Sequence, residues 1–182
     1  SYVSGTINIT GSATDTYFTN YVVEYSLQSA NSWTTIGSAQ TTQVSNGTLA
    51  TLDTTALADG VYKIRLTASD NADSTSVTVQ NITIDNTTES NNASITAPTA
   101  NALVDGTVDI WGTAFETNFS SAKLEYGASS SPTTWTTIAT LSSAVKTNSK
   151  LASWDTSSLS AGVYTIRLTV TDKTNHTVTK TV

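Results

Sequence analysis

The 182-residue sequence contains no cysteine, no methionine and only one histidine. The lack of cysteine leaves the compartment open, because secreted domains often carry disulfides but do not require them. Charged residues make up only 12% of the chain, about half the ~25% that is usual in soluble domains. The net charge of −6 argues against a nucleic-acid partner, which requires basic patches. No stretch approaches the ~18 apolar residues of a membrane span.

The polar residues that are present are mostly uncharged. Threonine and serine supply 38 and 25 residues, over a third of the chain. Polar, weakly charged strands of this kind are typical of cell-surface proteins rather than cytosolic enzymes. The chain starts at Ser1 without a methionine or a signal peptide, so we expect a processed or excised segment of an extracellular or cell-surface protein.

One stretch recurs almost unchanged. Residues 57–70 read LADGVYKIRLTASD, and residues 159–172 read LSAGVYTIRLTVTD. After the Gly-Val pair, apolar and polar residues alternate strictly from Tyr62 and from Tyr164, which is the pattern of a half-buried strand. Gly60 and Gly162 allow the turn that leads into each strand.

The recurrence extends over most of the chain. Gly5 and Gly106 are 101 positions apart, while Trp33 and Trp135 are 102 apart, so one extra residue lies between them in the second copy. A period near 100 residues fits serial β-sandwich domains, and no window has helical periodicity. The sequence therefore predicts an all-β chain of two tandem sandwiches in an extended arrangement, residues 1–88 and 89–182.

Two details of packing are predicted from alternation. Trp33 and Trp135 recur in step and are expected in the two cores. In the last strand of the first repeat, Val77 and Val79 are out of phase with Ile82 and Ile84. A β-bulge near residues 80–81 would return both pairs to the core face.

The two repeats differ at their ends. The second is preceded by ASITAP at residues 93–98, which has no counterpart in the first. The first ends in NITIDN at residues 81–86, and the second stops at Val182 before the matching residues. We therefore expect a missing leading strand in repeat one and an incomplete last strand in repeat two. Either the sequence is a window cut from a longer run of repeats, or neighbouring modules or chains share edge strands.

The residues do not predict catalysis. His176 stands at a turn-to-strand boundary without a nucleophile elbow or a local triad. Glu24 and Glu125 recur on outward strand faces, where they are expected to pair with Arg65 or Lys63 and with Arg167 respectively. Such cross-strand pairs are structural, so we predict that the chain is not an enzyme and needs no cofactor.

Metal binding has one weak candidate set. Asp70 and Asp73 follow the strand of the first repeat, and Asp172 follows that of the second. Oxygen ligands of this kind suit calcium, but the second repeat has Lys173 where the first has Asn71, and Asp is also an ordinary turn residue.

Modification and contact sites complete the candidates. Seven N-glycosylation sequons occur, a mild excess over the four or five expected by chance in this composition, at Asn8, Asn46, Asn81, Asn86, Asn92, Asn118 and Asn175. Of these, Asn46, Asn86 and Asn92 are expected to be the most accessible. Trp111 alternates outward and either stacks on a sugar or a neighbouring chain, or packs against a nearby loop.

The motifs LEY, WTTI and GVYxIRLTxxD, of which the last two occur in both repeats, resemble immunoglobulin-like and fibronectin type III-like repeats of prokaryotic secreted and surface proteins. The resemblance covers nearly the whole chain and implies a β-sandwich with Tyr62 and Tyr164 as tyrosine corners. It implies a non-catalytic structural module of an extracellular filament, surface layer or stalk, with self-association or flanking repeats as partners. The alternative is a carbohydrate- or protein-binding module beside a secreted enzyme or in an adhesin.

Overall fold

The computed structural model describes residues 1–30, 32–72, 75–87 and 92–182. These residues contain fourteen strands and no helix, which confirms the predicted all-β class. The chain divides into two compact units, Ser1–Thr87 and Thr88–Val182. Each unit is a β-sandwich of two sheets.

Unit 1 contains seven strands. In chain order they are β1 (Tyr2–Val3), β2 (Thr6–Ala13), β3 (Phe18–Leu27), β4 (Thr34–Thr35), β5 (Val44–Asp53), β6 (Gly60–Asp70) and β7 (Thr75–Ile84). Five of them form one sheet in the order β1-β7-β6-β3-β4, and β2 pairs with β5 in the other. Strand β1 runs parallel to β7, with Tyr2 opposite Thr83.

Unit 2 also contains seven strands. They are β8 (Ala93–Ala97), β9 (Thr107–Ala114), β10 (Phe119–Ala128), β11 (Thr136–Leu141), β12 (Val145–Asp155), β13 (Tyr164–Asp172) and β14 (Thr177–Thr181). The larger sheet has the order β11-β10-β13-β14, and the smaller has the order β12-β9-β8. The smaller sheet of unit 2 thus has one more strand, β8, than that of unit 1.

The cores follow the alternation of the sequence. In β3 and β6, Tyr21, Val23 and Ile64 are buried, and their neighbours in sequence point outward. In unit 2 the same positions are taken by Ala122, Leu124 and Ile166, which are buried in that unit's core. Full burial of an aliphatic side chain stabilises a fold by about 1.5–3 kcal/mol, so these inward rows supply much of the driving force for each sandwich.

The tyrosine corners are confirmed in both units. The Tyr62 hydroxyl donates to the Ala58 carbonyl oxygen at 3.1 Å, and the Tyr164 hydroxyl donates to the Ser160 carbonyl oxygen at 2.9 Å. Each bond reaches back four residues and ties the turn before the strand to the strand itself.

A glycine with a left-handed backbone directly precedes the first long strand of unit 1 and the matching strand of unit 2. Gly5 and Gly106 adopt φ values of 66° and 64°, a left-handed conformation that glycine tolerates best. The threonine after β5 or β12 fixes each bend, because the Thr54 hydroxyl donates to the Gly5 carbonyl at 2.8 Å and Thr156 does the same to Gly106 at 2.8 Å. Strands β2 and β9 therefore begin directly after these glycines, at Thr6 and Thr107.

The predicted β-bulge near residues 80–81 is wrong. Strands β6 and β7 pair without interruption from Gly60 opposite Ile84 to Ser69 opposite Thr75. Because the register is unbroken, Ile82 and Ile84 face inward, whereas Val77 and Val79 face outward and are 55% and 45% exposed.

Candidate functional surfaces

An aromatic side chain, an arginine and a glutamate form a stack on the outer face of each large sheet. In unit 1 the Arg65 guanidinium lies over the Trp33 ring with Cζ 4.0 Å from the ring centroid. Its Nε donates to Glu24 Oε2 at 2.7 Å, and Nη2 lies 2.6 Å from the same oxygen. Glu24 and Arg65 stand directly opposite each other across β3 and β6, so the predicted pair is confirmed.

Unit 2 repeats this arrangement with one more cation. Arg167 Cζ lies 3.9 Å from the Trp135 centroid, and its Nη2 is 2.6 Å from Glu125 Oε2, as predicted. Lys123 Nζ lies 2.7 Å from Glu125 Oε1. Burial of Glu125 raises the pKa of its carboxyl, but the hydrogen bonds from Lys123 and Arg167 outweigh burial and hold the pKa below its usual value.

The prediction that Trp33 and Trp135 belong to the cores is wrong. Both are half-buried and lie beneath an arginine on the outer face, where the guanidinium binds the face of the ring. The aromatic residue in the core of unit 2 is Trp154, which is 5% exposed. Its ring centroid lies 5.1 Å from that of Tyr126 and 6.1 Å from that of Tyr164.

His176 takes part in the turn that follows β13. Asp172, which is buried, accepts hydrogen bonds at Oδ1 from the backbone amides of Thr174 and His176, at 2.7 and 2.9 Å. Its Oδ2 lies 3.1 Å from His176 Nδ1. A carboxylate that accepts this many local donors stabilises the turn between β13 and β14.

The calcium candidates remain a prediction. Asp70 Oδ1 accepts the Ala72 amide at 2.8 Å, which is the same turn-forming bond that Asp172 makes in the other unit. Asp73 lies outside the described residues.

The sequons differ in how their asparagines are held. The expectation that Asn86 is among the most accessible is wrong, because its amide is half-buried and anchored. Its Nδ2 donates to the carbonyls of Thr54 and Leu57 at 2.7 and 3.2 Å, and its Oδ1 accepts from the Thr54 hydroxyl at 3.0 Å and from the Gly5 amide at 3.3 Å. Three sequon asparagines outside the turns are exposed or half-buried: Asn8 and Asn81 are exposed, and Asn92 is half-buried.

Of the remaining sequons, Asn46 lies within β5, Asn118 lies in a turn and Asn175 directly follows one. Asn46 and Asn175 are exposed and have left-handed backbones, with φ values of 48° and 68°. Asn118 is half-buried and accepts the Lys173 amide at its carbonyl. Occupancy of the seven sequons remains a prediction.

Trp111 is 41% exposed on the outward face of β9, the side that its alternation predicts. It stands opposite Lys150, whose ammonium lies 2.7 Å from Asp109. The hydrogen bonds from Lys150 and Ser153 hold the pKa of Asp109 below its usual value. An indole beside an ion pair offers a flat apolar surface with polar groups at its edge.

A groove in unit 1 was not predicted as a site. It encloses about 450 Å³ between β2, an edge strand of the smaller sheet, and β7 with the short edge strand β1 of the larger sheet. Its lining is mostly apolar, with Val3, Ile7, Ile9, Leu49, Ile64, Leu66 and Ile82. The sequence signal that relates to it is the segment at residues 93–98, which has no counterpart among residues 1–88.

One of the comparisons with known proteins agrees with the fold. No protein-family model matches the sequence, and no curated protein matches it. Among solved structures, the chain is similar to the fibronectin(III)-like modules of CbhA from Clostridium thermocellum, with 17% identity and a TM-score of 0.52 over 100% of this chain and 85% of that one. It is also similar to a tetra-tandem repeat in the extending region of a large adhesion protein, with 19% identity and a TM-score of 0.42 over 98% of this chain and 45% of that one.

The first of these likenesses shows the fold: the units are β-sandwiches of the fibronectin type III-like and immunoglobulin-like kind. Among the described residues, no helix has the length and apolar character needed to cross a membrane.

Proposed function

We propose that this chain is a non-catalytic pair of structural modules in an extracellular or cell-surface protein of a prokaryote, where serial β-sandwiches form a filament, a surface layer or a stalk. The observation that carries the proposal is what the two units share. Both keep the tyrosine corner, the tryptophan–arginine–glutamate stack and the threonine bond to the bent glycine.

The candidate reactive and ligand-contacting residues do not occur in both units. His176 has no histidine counterpart, since the first repeat contains no histidine, and Trp111 corresponds to Thr10. Duplication has therefore kept the groups that hold a sandwich together and not a set of reactive groups. This is the pattern expected when the useful property of a module is its shape and stability.

The test is microscopy of native material. Immunogold labelling of intact cells with antibodies against the purified chain should decorate the cell surface or structures that extend from it. Labelling only after the cells are permeabilised would overturn the proposal. If the intact protein is strictly monomeric at the surface, the filament and surface-layer versions fail and the stalk version stands.

The alternative function, a carbohydrate- or protein-binding accessory module, is favoured by the exposed indole of Trp111. Stacking of a sugar face on an exposed indole is a common use of such a surface. The test is a glycan array: binding that Trp111→Ala abolishes and Trp111→Phe retains would support this function. Loss of binding in Trp154→Phe, a core substitution, would instead indicate a folding defect.

A further inference from the structure

Trp111 lies on the outer face of β9, the central strand of the smaller sheet of unit 2. Lys150 of β12 stands opposite it on one side, and Ala97 of β8 stands opposite it on the other. The side chain of an alanine is too short to cover an indole, and 41% of Trp111 is exposed. The flat apolar surface of the ring is therefore accessible to a ligand.

An ion pair lies beside the indole on the same face. Asp109 precedes Trp111 by two residues and also points outward, with its Cα about 6.5 Å away along the strand. Lys150 Nζ lies 2.7 Å from Asp109 Oδ1, and the Ser153 hydroxyl donates to the same oxygen at 2.7 Å. These bonds fix the carboxylate beside the ring and hold its pKa below the usual value, so Asp109 is ionised at neutral pH.

The ion pair leaves an acceptor and donors for a ligand. Both bonds to Asp109 end on Oδ1, and among the described residues Oδ2 accepts no hydrogen bond. The ammonium of Lys150 has three N–H groups, and its contact with Asp109 uses one of them. An acceptor beside a donor matches two hydroxyls on adjacent carbon atoms, because one hydroxyl can donate while the other accepts. Since the charges of the pair cancel, the surface favours an uncharged ligand.

Unit 1 has the same scaffold at the matching place. Strand β2 pairs with β5, and β9 pairs with β12, with a register shift at the same point in both pairs. The Thr51 hydroxyl donates to Asn8 Oδ1 at 3.0 Å, in the position of the bond from Ser153 to Asp109. The strand pairing and the cross-strand hydrogen bond are thus common to the two units.

The chemistry on this scaffold differs between the units. In unit 1 the positions of the indole, the carboxylate and the ammonium are taken by exposed, uncharged residues, which are Thr10, Asn8 and Thr48. Because unit 1 forms the same strand pairing with these residues, the pairing does not require the indole or the ion pair. The combination in unit 2 is therefore available for contact with a ligand.

We propose that the surface formed by Trp111, Asp109 and Lys150 binds an uncharged pyranose ring that carries hydroxyls on adjacent carbon atoms. The C–H face of the ring stacks on the indole. One hydroxyl at its edge donates to Asp109 Oδ2, and the next accepts from Lys150 Nζ. Rings whose hydroxyls are all equatorial fit best, because their faces then carry only C–H groups and their hydroxyls lie near the ring plane. This proposal rests on the alternative function above and names the ligand class of that site.

Charged sugars are disfavoured on the same grounds. A uronate brings a second carboxylate close to Asp109 and competes with it for Lys150. An amino sugar with a free ammonium brings a second cation close to Lys150. Like charges placed together discriminate against a ligand, so the ion pair selects for uncharged rings even though each of its members is charged.

The first experiment titrates the 182-residue chain, made in a host without N-glycosylation, with methyl β-glucopyranoside. We expect saturable binding in the millimolar range, with a shift of the NMR signal of the Trp111 indole N–H and none for the buried Trp154. Three variants introduce the residues of unit 1. Trp111→Thr should abolish saturable binding, and Asp109→Asn and Lys150→Thr should each weaken it about fivefold. Unchanged binding in Asp109→Asn and Lys150→Thr would overturn the proposal.

Two relatives of this sugar test the ligand class. The matching glucuronide adds one carboxylate, and the ether with every ring hydroxyl methylated keeps the C–H faces but has no hydroxyl to donate. Each should bind at least about fivefold more weakly. If all three sugars bind equally and lose binding in Trp111→Thr, this proposal fails and the carbohydrate-binding function stands. If no saccharide, in this titration or on a glycan array, binds through Trp111, that function fails as well.

Glycosylated chain identifies where the ring comes from. The sequence has seven sequons, so the ring belongs either to a glycan on a second copy or to a separate saccharide. Self-association that both methyl β-glucopyranoside and Trp111→Thr reverse would support the proposal with a glycan as the source. Glycosylated chain that stays monomeric and still binds the methyl glycoside would support it with a separate saccharide as the source. Sedimentation velocity distinguishes the two.

The last experiment transfers the surface to unit 1. In the Trp111→Thr background, Thr10→Trp is combined with Asn8→Asp and Thr48→Lys, and the circular dichroism spectrum confirms that the variant is folded. This triple variant should regain saturable binding of methyl β-glucopyranoside, whereas Thr10→Trp alone should bind at least about fivefold more weakly. If the indole alone restores the full affinity, the ion pair does not contact the sugar and the proposal is overturned.

Discussion

Arg65 lies flat against Trp33 on the outer face of unit 1, with its Cζ 4.0 Å from the ring centroid, and it also binds Glu24 through both Nε and Nη2. The guanidinium can do both because its plane stacks on the ring while its edge meets the carboxylate. The same geometry in unit 2 shows that the stack belongs to the module design and not to one local environment.

The first prediction concerns the energetic coupling within this stack. In a double-mutant cycle of Trp33→Ala and Arg65→Met, we expect a coupling of about 0.5–1 kcal/mol, the range for a partly exposed cation–π contact. The coupling is measured from urea unfolding of each variant, with hydrogen exchange at the residues of unit 1 as the probe. The control cycle pairs Trp33→Ala with Lys63→Met, which changes another cation on the same face of β6 and should give a coupling near zero. Equal coupling in the two cycles would contradict a specific Arg65–Trp33 contact.

The second prediction concerns the pH dependence of unit 2. Glu125 has a folded pKa below its usual value of 4.5 because Lys123 and Arg167 bind its ionised form more strongly than burial disfavours it. A depressed carboxyl pKa adds stability above the unfolded pKa, and this stability is lost as the pH falls through the folded pKa. Wild-type unit 2 should therefore be more stable than the Glu125→Gln variant at pH 7, and the difference should shrink below pH 4.5. Urea midpoints from pH 7 to pH 3 test this; a difference that stays constant with pH would refute it.

Much of the fold was predictable because strands have a strict period of two. Tyr62 and Ile64 face inward as predicted, and Glu24 stands opposite Arg65 as the predicted strand order requires. Alternation alone does not say which side of a strand the core lies on when apolar residues occur on both. Val77 and Val79 were assigned to the core for that reason, yet the unbroken register with β6 places them outside. The prediction that Trp33 lies in the core is wrong for a related reason. Its large apolar surface is covered by an arginine rather than by the opposite sheet.

The site was less predictable than the fold. Aligning the repeats does not predict the groove between β2 and β7, because a groove depends on how far apart two strands lie. Only the structure places Gln80 of β7 and Ile9 of β2 on opposite walls of one cavity. No periodicity carries that information.

The third prediction compares the two tyrosine corners. The Tyr62 hydroxyl is partly buried and bonds the Ala58 carbonyl, whereas the bond of Tyr164 to Ser160 is exposed. A buried acceptor that loses its donor is not fully rehydrated, while an exposed one is. Tyr62→Phe should therefore destabilise unit 1 by about 1 kcal/mol, and Tyr164→Phe should destabilise unit 2 by less. Thermal unfolding with unit-resolved hydrogen exchange gives both values, and a larger effect at Tyr164 would contradict this ranking.

The last prediction separates two sequons that lie five residues apart. Both amide atoms of Asn86 are hydrogen-bonded in a half-buried site, and its backbone amide donates to Asp59 at 2.7 Å. A glycan on Nδ2 would remove at least one of the bonds to Thr54 and Leu57. The side chain of Asn81 is exposed on β7 and can carry a glycan without such a loss. In a host with N-glycosylation, mass spectrometry of the folded, secreted chain should detect a glycan at Asn81 and not at Asn86.

Substitution distinguishes these roles independently of the host. Asn86→Asp removes the Nδ2 donor and should destabilise unit 1 by about 1–3 kcal/mol, because it leaves buried carbonyls without their partner. Asn81→Asp should change the stability of unit 1 by less than about 0.5 kcal/mol, as expected for an exposed position. Urea unfolding of both variants measures the contrast. A full glycan at Asn86 in a chain of unchanged stability would show that this amide does not hold the end of β7 to the turn after β5.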